Sequence, residues 1–193
     1  MHDMNMFRLI EVDSLTYNEK KKALSLLIFL KEKRDSSVKA CMCTDGHKQK
    51  DGTWSKQETT SPTVATESVF ITDVIDAHEG RNVACFDILG AFLYADSDED
   101  ITMALKGRLA ELMVQVAPNL YRKYITVDRK GTAILYVKMQ KALYGLLRSV
   151  LLFYNKLVAD LDSNGFVLNP YDSRSRIHSC VVQWFRRRVT APH

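Results

Sequence analysis

The chain has 193 residues, a mass of 22.1 kDa and a net charge of +4 at pH 7, with 46% hydrophobic and 26% charged residues. That length supports one domain or two small ones and a real core, since a chain of this size hides roughly 70% of its unfolded surface. The balance excludes a wholly disordered chain, a collagen-like fibre and a disulfide mini-protein. Four cysteines, Cys41, Cys43, Cys85 and Cys180, make no staple framework and favour a reducing compartment.

No basic-then-apolar leader opens the sequence, and the apolar run at residues 24–30 is far shorter than the roughly 20 residues of a membrane span. The expectation is a cytoplasmic or nuclear protein with no membrane partner. Residues 26–33 and 38–43 flank turn chemistry at Arg34, Asp35, Ser36 and Ser37, which predicts a hairpin. Residues 45–62 are polar and read as a loop. Ser61 and Pro62 suit an N-cap and a first helical position, opening a helix that ends at Gly80. Val64, Ser68, Ile71, Ile75 and His78 lie on one side of it at helical spacing.

Val83, Ala84, Cys85 and Phe86 then form a short apolar run closed by Asp87, which reads as a buried strand with a carboxylate at its end. Such a charge is expensive to bury unless an ion or hydrogen bonds meet it. Further on, residues 101–105 suggest a strand and residues 107–117 a helix. Residues 125–127 and 134–137, around Asp128, Arg129, Lys130 and Gly131, suggest a second hairpin. Residues 149–161 carry Leu152, Phe153, Leu157 and Leu161 on one stripe, an amphipathic helix stopped by Asn164 and Gly165. Residues 166–168 begin another strand. This order of elements argues an α+β domain.

Several constellations lack the partners their chemistry needs. Cys41 and Cys43 have no second pair to complete a zinc site and read as two positions of one strand. Asp96, Asp98 and Asp100 alternate like a calcium loop, but Ile101 stands where the loop needs Gly and Gly107 where it needs Glu. A solvated acidic loop is the plainer reading. His178 and Cys180 lack a third partner for nucleophilic catalysis. Arg186, Arg187 and Arg188 make too short a run to claim a phosphate-tracking patch.

The segment Phe86-Asp87-Ile88-Leu89-Gly90-Ala91-Phe92-Leu93 carries more information. It resembles the reverse transcriptase domain of copia-type retrotransposons, and the likeness continues elsewhere. Residues 31–35 with Val38, Lys39 and Ala40 resemble that family's finger hairpin, and Thr60-Ser61-Pro62-Thr63-Val64 its lead-in to the next helix. Lys141-Ala142-Leu143-Tyr144-Gly145-Leu146 is similar to its most recognisable signature. Phe153-Tyr154-Asn155-Lys156-Leu157 and Gly165-Phe166 resemble the helix and strand downstream of that signature. The likeness covers residues 24–172, leaving residues 1–23 as an N-terminal extension and residues 173–193 as an unmatched basic tail.

The resemblance implies a fingers-and-palm fragment, a palm-like sheet with helices packed on one face and the Asp87 strand central. It implies RNA- or DNA-templated DNA synthesis by two-metal in-line displacement, with Mg²⁺ held by oxygen ligands. Asp87 would be the first catalytic, metal-binding carboxylate. Phe92 would exclude the ribose 2′-hydroxyl, Tyr144 and Gly145 would pack against the incoming nucleotide, and Lys39 would help bind it. The implied partners are a nucleic-acid primer-template and a dNTP.

The departures matter as much. The family carries an Asp-Asp pair after the Gly165-Phe166 strand, and this sequence contains no Asp-Asp. Losing such members costs on the order of 10⁴-fold in rate or more. Cys41 and His47 stand where the family pattern has arginines that grip phosphate. The expected chain is therefore inactive alone, with a residual nucleic-acid-binding module or the non-functional product of a degraded element as alternatives. Residues 173–193 hold Arg174, Arg176, Arg186, Arg187 and Arg188 and none of the acids, so the rest of the chain is close to neutral. Without its catalytic hairpin the sheet should expose an unpaired edge that invites self-association, or fill it with residues 177–185.

Overall fold

The computed structural model describes residues 5–49, 54–55, 57–85, 87–170, 172, 175–177 and 181–183. The architecture is α+β. It divides into two compact units, residues 1–59 with 90–153, and residues 60–89 with 154–193. These units cut across the divisions at residues 23 and 172 read from the sequence. Phe86, Tyr171, Arg174, His178, Cys180 and Arg186 to Arg188 lie outside the described residues.

The first unit is built on a six-stranded sheet. Its strands are β1 (Phe7–Leu9), β2 (Leu24–Glu32), β3 (Val38–Thr44), β4 (Thr102–Lys106), β5 (Ile125–Val127) and β6 (Ala133–Met139). The order is β1-β6-β4-β2-β3, with β5 also on β6. β6 is the hub: β1 pairs antiparallel with Val137 to Met139 and β5 with Ala133 to Leu135, while β4 takes the opposite side from Ile134 to Lys138. Both predicted hairpins form. β2 and β3 pair from Leu26↔Thr44 to Glu32↔Val38, and Ser36 takes the turn at φ 61°. β2 joins β4 in parallel only through Leu24 and Ser25, so the rest of the hairpin extends beyond the sheet. There Phe29, Leu30 and Val38 are exposed.

Alternation along the strands sorts the core into two layers. Met103, Leu105, Leu135, Val137 and Met139 face one way and pack with Ala110, Met113 and Tyr121 from α3 (Arg108–Val116) and α4 (Pro118–Tyr121). Ala104, Ile134 and Tyr136 face the other way and meet Ile10, Leu15 and Ala23, which flank α1 (Tyr17–Lys22). Helices α3 and α4 thus pack on one face, and on the other the apolar cover comes from residues that flank α1, not from the helix itself. The missing signal lay in residues 5–23, which supply β1, a capping box between Thr16 and Glu19, and the second layer.

The second unit holds α2 (Thr66–Glu79) and a three-stranded sheet of β7 (Val167–Leu168), β8 (Ser175–Ile177) and β9 (Val181–Gln183). Helix α5 (Ser149–Ser163) begins in the first unit and ends in the second. Its stop is as read: Gly165 adopts φ 83°, its N–H bonds Asp162 O, and the Phe166 N–H reaches Leu161 O. α2 ends at Gly80 in the left-handed region, as expected, but it starts at N-cap Ala65 rather than at Ser61. The Ala65 N–H donates to the Asp172 carboxylate at 3.4 Å, while the buried Ser61 hydroxyl has no hydrogen-bond partner among the described residues. No residue of α2 is buried, and Ile71 and Ile75 are exposed.

The buried strand ending at Asp87 is a second correction. Val83, Ala84 and Cys85 form no strand and are exposed, and Asp87 is exposed as well. A strand exists only where a neighbour completes its backbone hydrogen bonds, and no strand of the described residues pairs with this segment. The tail residues in β8 and β9 pair instead with β7 and with each other.

Candidate functional site

Three separately noticed stretches of sequence meet at one place in the first unit. The chain leaves β6 braced on both sides: Gln140 and Lys141 donate N–H bonds to Met6 O, and the Ala142 N–H bonds Ala95 O at 2.9 Å. It then turns through Tyr144 and Gly145. The Ser149 hydroxyl, 1% exposed, closes this turn by donating to Leu143 O at 2.6 Å and accepting from the Leu143 N–H at 3.1 Å. The end of β3 crosses directly over it. The Thr44 N–H bonds Tyr144 O at 2.8 Å, and the Thr44 hydroxyl bonds Ser25 O.

The crossing depends on two glycines. Gly145 adopts φ 94°, and a Cβ there would overlap the Thr44 carbonyl oxygen. A Cβ on Gly46 would overlap the Gly145 carbonyl oxygen. Gly145 is thus required by backbone contact, a role the resemblance did not specify. Gly46 was missed, because its partner lies far along the chain and a glycine in a polar loop gives no sign of what it touches.

Phe92 sits on a 3₁₀ turn, Ala91–Tyr94, opened by Gly90 at φ 64°. Its ring lies 4.3 Å from that of Tyr144 at an interplanar angle of 56°, and 6.2 Å from that of Phe153 in edge geometry. Phe92 and Tyr144, two of the expected nucleotide-binding residues, are therefore in contact. Tyr144 is 43% exposed, so the pair presents an aromatic surface to solvent.

Electrostatics around the turn are organised by the alternating acids. Asp96 holds Lys141 at 2.7 Å, Asp98 holds Arg148 at 2.5 Å and Asp100 holds Lys138 at 2.5 Å. The acidic loop is thus an ion-pair rail that neutralises the basic residues flanking the turn. Arg148 also lies 4.3 Å from the Trp54 ring centroid. Gln49 ties the remaining loop down, donating to Glu99 and accepting from the Leu147 N–H, both at 3.2 Å. Burial, and secondarily Asp98, push the Glu99 carboxyl above its ordinary range, against the pull of Arg148.

Lys39 lies on the projecting hairpin, exposed and directly opposite Lys31. The next pair on the same face is Phe29 with Cys41. Like charges directly opposite on a ladder are destabilising. Burial pushes the Cys43 thiol up, which suits an inert strand position better than a reactive one.

Asp87 belongs to the other unit. Among the described residues no three of His, Cys, Asp and Glu converge to hold a metal. Octahedral Mg²⁺ takes six oxygens and a two-ion centre needs several carboxylates. A single exposed Asp87, in a sequence with no Asp-Asp pair, does not fit that centre. No family model, no curated protein and no solved structure matches the chain. Among the described residues, no helix is long and apolar enough to cross a membrane.

Proposed function

We propose that the chain is a fingers-and-palm portion of a copia-type reverse transcriptase that binds nucleic acid but does not extend primers by itself. One observation carries this reading. Phe92 and Tyr144, far apart in sequence, form one aromatic surface, and the end of the finger-like hairpin at Thr44 crosses the Tyr144-Gly145 turn that carries it. In this reading Tyr144 and Phe92 form a shelf for a base and sugar, and Lys39 supplies positive charge for phosphate. The missing carboxylates explain the absence of turnover.

A second reading, a binding module with no catalytic role, is favoured by Lys31 and Lys39. Their mutual repulsion on an exposed ribbon is relieved by a bound phosphate backbone. Two assays test these readings. With an RNA–DNA hybrid primer-template, dNTPs and Mg²⁺, no extension above background is expected; extension abolished by Asp87→Ala would overturn the inactive reading. Hybrid binding is expected to weaken with salt, and Lys31→Glu with Lys39→Glu should flatten the log–log salt slope by about one to two. Salt-independent binding, or none, would remove both readings.

A further inference from the structure

β1 ends its sheet: β6 lies on one side, and no strand of the described residues pairs with the other. Hydrogen bonds at its two ends fix which backbone groups face that open side. The Ile10 N–H bonds Tyr136 O, and Met6 O accepts the Gln140 N–H. Successive residues of an antiparallel strand direct their backbone groups to alternate sides. Met6, Arg8 and Ile10 therefore bond β6, while the N–H and C=O of Phe7 and Leu9 point away from it. An edge of this kind is a template for another strand.

Beside the edge runs a groove of about 260 Å³, lined by residues 5–9 and by Leu120, Tyr121 and Tyr124. Phe7 and Leu9 turn their side chains to the groove, against the core layer that also takes Tyr124. Arg8, between them, is exposed on the opposite face, and its ladder neighbour Lys138 is already held by Asp100. The Lys123 ammonium lies 4.6 Å from the Tyr124 ring centroid, and Glu11 is the acid that acts on it. Among the described residues neither Arg8 nor Lys123 has an ion pair. A second β1 laid antiparallel on the first would set Arg8 opposite Arg8, which is destabilising. The edge instead suits a strand that alternates, apolar toward the groove and acidic toward Arg8.

We propose that β1 accepts an extended acidic peptide of a partner protein as an added antiparallel strand. Main-chain hydrogen bonds to Phe7 and Leu9 hold it, an apolar side chain sits between Leu120 and Tyr124, and a carboxylate stands opposite Arg8. In this register the apolar residues of the peptide, opposite Phe7 and Leu9, turn their N–H groups toward β1, and the acidic ones turn theirs to solvent.

The probe is a short fluorescein-labelled peptide of alternating glutamate and valine, titrated with the full chain and followed by anisotropy. Saturable binding is expected, with amide hydrogen exchange slowed at Phe7 and Leu9 and unchanged at Arg8, which is already bonded to β6. N-methylation of the valines should abolish binding, and N-methylation of the glutamates should be tolerated. Arg8→Glu should weaken binding about three- to tenfold and shift the preference to the lysine–valine peptide. Leu120→Asp, at an exposed position, should weaken both peptides with the circular dichroism unchanged. No saturable binding, affinity indifferent to both substitutions, equal loss from the two N-methylated peptides, or Phe7 and Leu9 amides already protected in the free protein, by a second copy or by its own chain, would each overturn the proposal.

Discussion

Replacing Gly145 with alanine tests whether the Thr44 crossing holds the site together. The new methyl group would meet the carbonyl oxygen of Thr44, with the Thr44 nitrogen and carbonyl carbon at 3.0 Å. All three are backbone atoms, so no rotamer change relieves the overlap. The strand that carries them is held by the Thr44 N–H to Tyr144 bond and by its ladder with β2. An alanine at φ 94° costs on the order of 1–3 kcal/mol by itself. Overpacking adds about 1–3 kcal/mol, and the hydrogen bond lost when strand and turn separate about 1 kcal/mol more.

The expected loss is therefore about 3–7 kcal/mol, comparable with the whole stability of a marginal domain. Gly131 supplies the control. It also has positive φ, 78°, but a Cβ there meets nothing within 4 Å, so Gly131→Ala should cost only about 1–2 kcal/mol. Urea unfolding followed by circular dichroism should show a midpoint shift for Gly145→Ala at least twice that for Gly131→Ala. Equal shifts would refute the crossing as the origin of the glycine requirement.

Ser149→Ala strips both side-chain hydrogen bonds from Leu143 and leaves its buried N–H unmatched, while Leu143 O keeps the Leu146 N–H at 3.2 Å, so a loss of about 1–3 kcal/mol is expected in the same unfolding assay. Glu99 gives a pH signature. Its carboxyl is raised in the folded state, so the protein binds that proton more tightly when folded and stability should fall as pH climbs from about 4 through the raised value. Glu99→Gln, which keeps an acceptor for Gln49, should be neutral near pH 4 and stabilising at pH 7. Denaturation midpoints that rise in parallel at both pH values would contradict the burial argument.

Elements whose cause is local were legible in the sequence. The β2–β3 and β5–β6 hairpins follow from turn residues beside alternating runs, and α5 from a periodic stripe closed by Gly165. Elements whose cause is distant were not. Ser61 and Pro62 look like a helix start, yet the acceptor at the true start is Asp172, far away in the chain. Val83, Ala84 and Cys85 have strand composition, and composition says nothing about whether a partner strand is present. Residues 5–23 carry one local signal, the Thr16–Glu19 capping box, and the rest of their placement is fixed by β6 and the second core layer. Of the site, Phe92, Tyr144 and Gly145 were legible through resemblance. The Gly46 contact, the Gln49 latch and the pairing of Asp96, Asp98 and Asp100 with three separate bases were not, because each is a long-range choice of partner.

The pairing of β1 with β6 also has a temporal side. A chain made from its N-terminus presents Phe7 to Leu9 long before Val137 to Met139 exist to receive them. Over that interval Met6, Ile10 and Leu15, all buried in the finished protein, have nowhere to go, and the apolar start of β2 waits likewise for β4. The β4, β5 and β6 strands lie close enough in sequence to assemble first, and the N-terminal strand then closes the largest loop of the sheet at the largest entropic cost. β1 is made well before the strand that receives it, which leaves its apolar neighbours exposed to aggregation until the ribosome reaches β6.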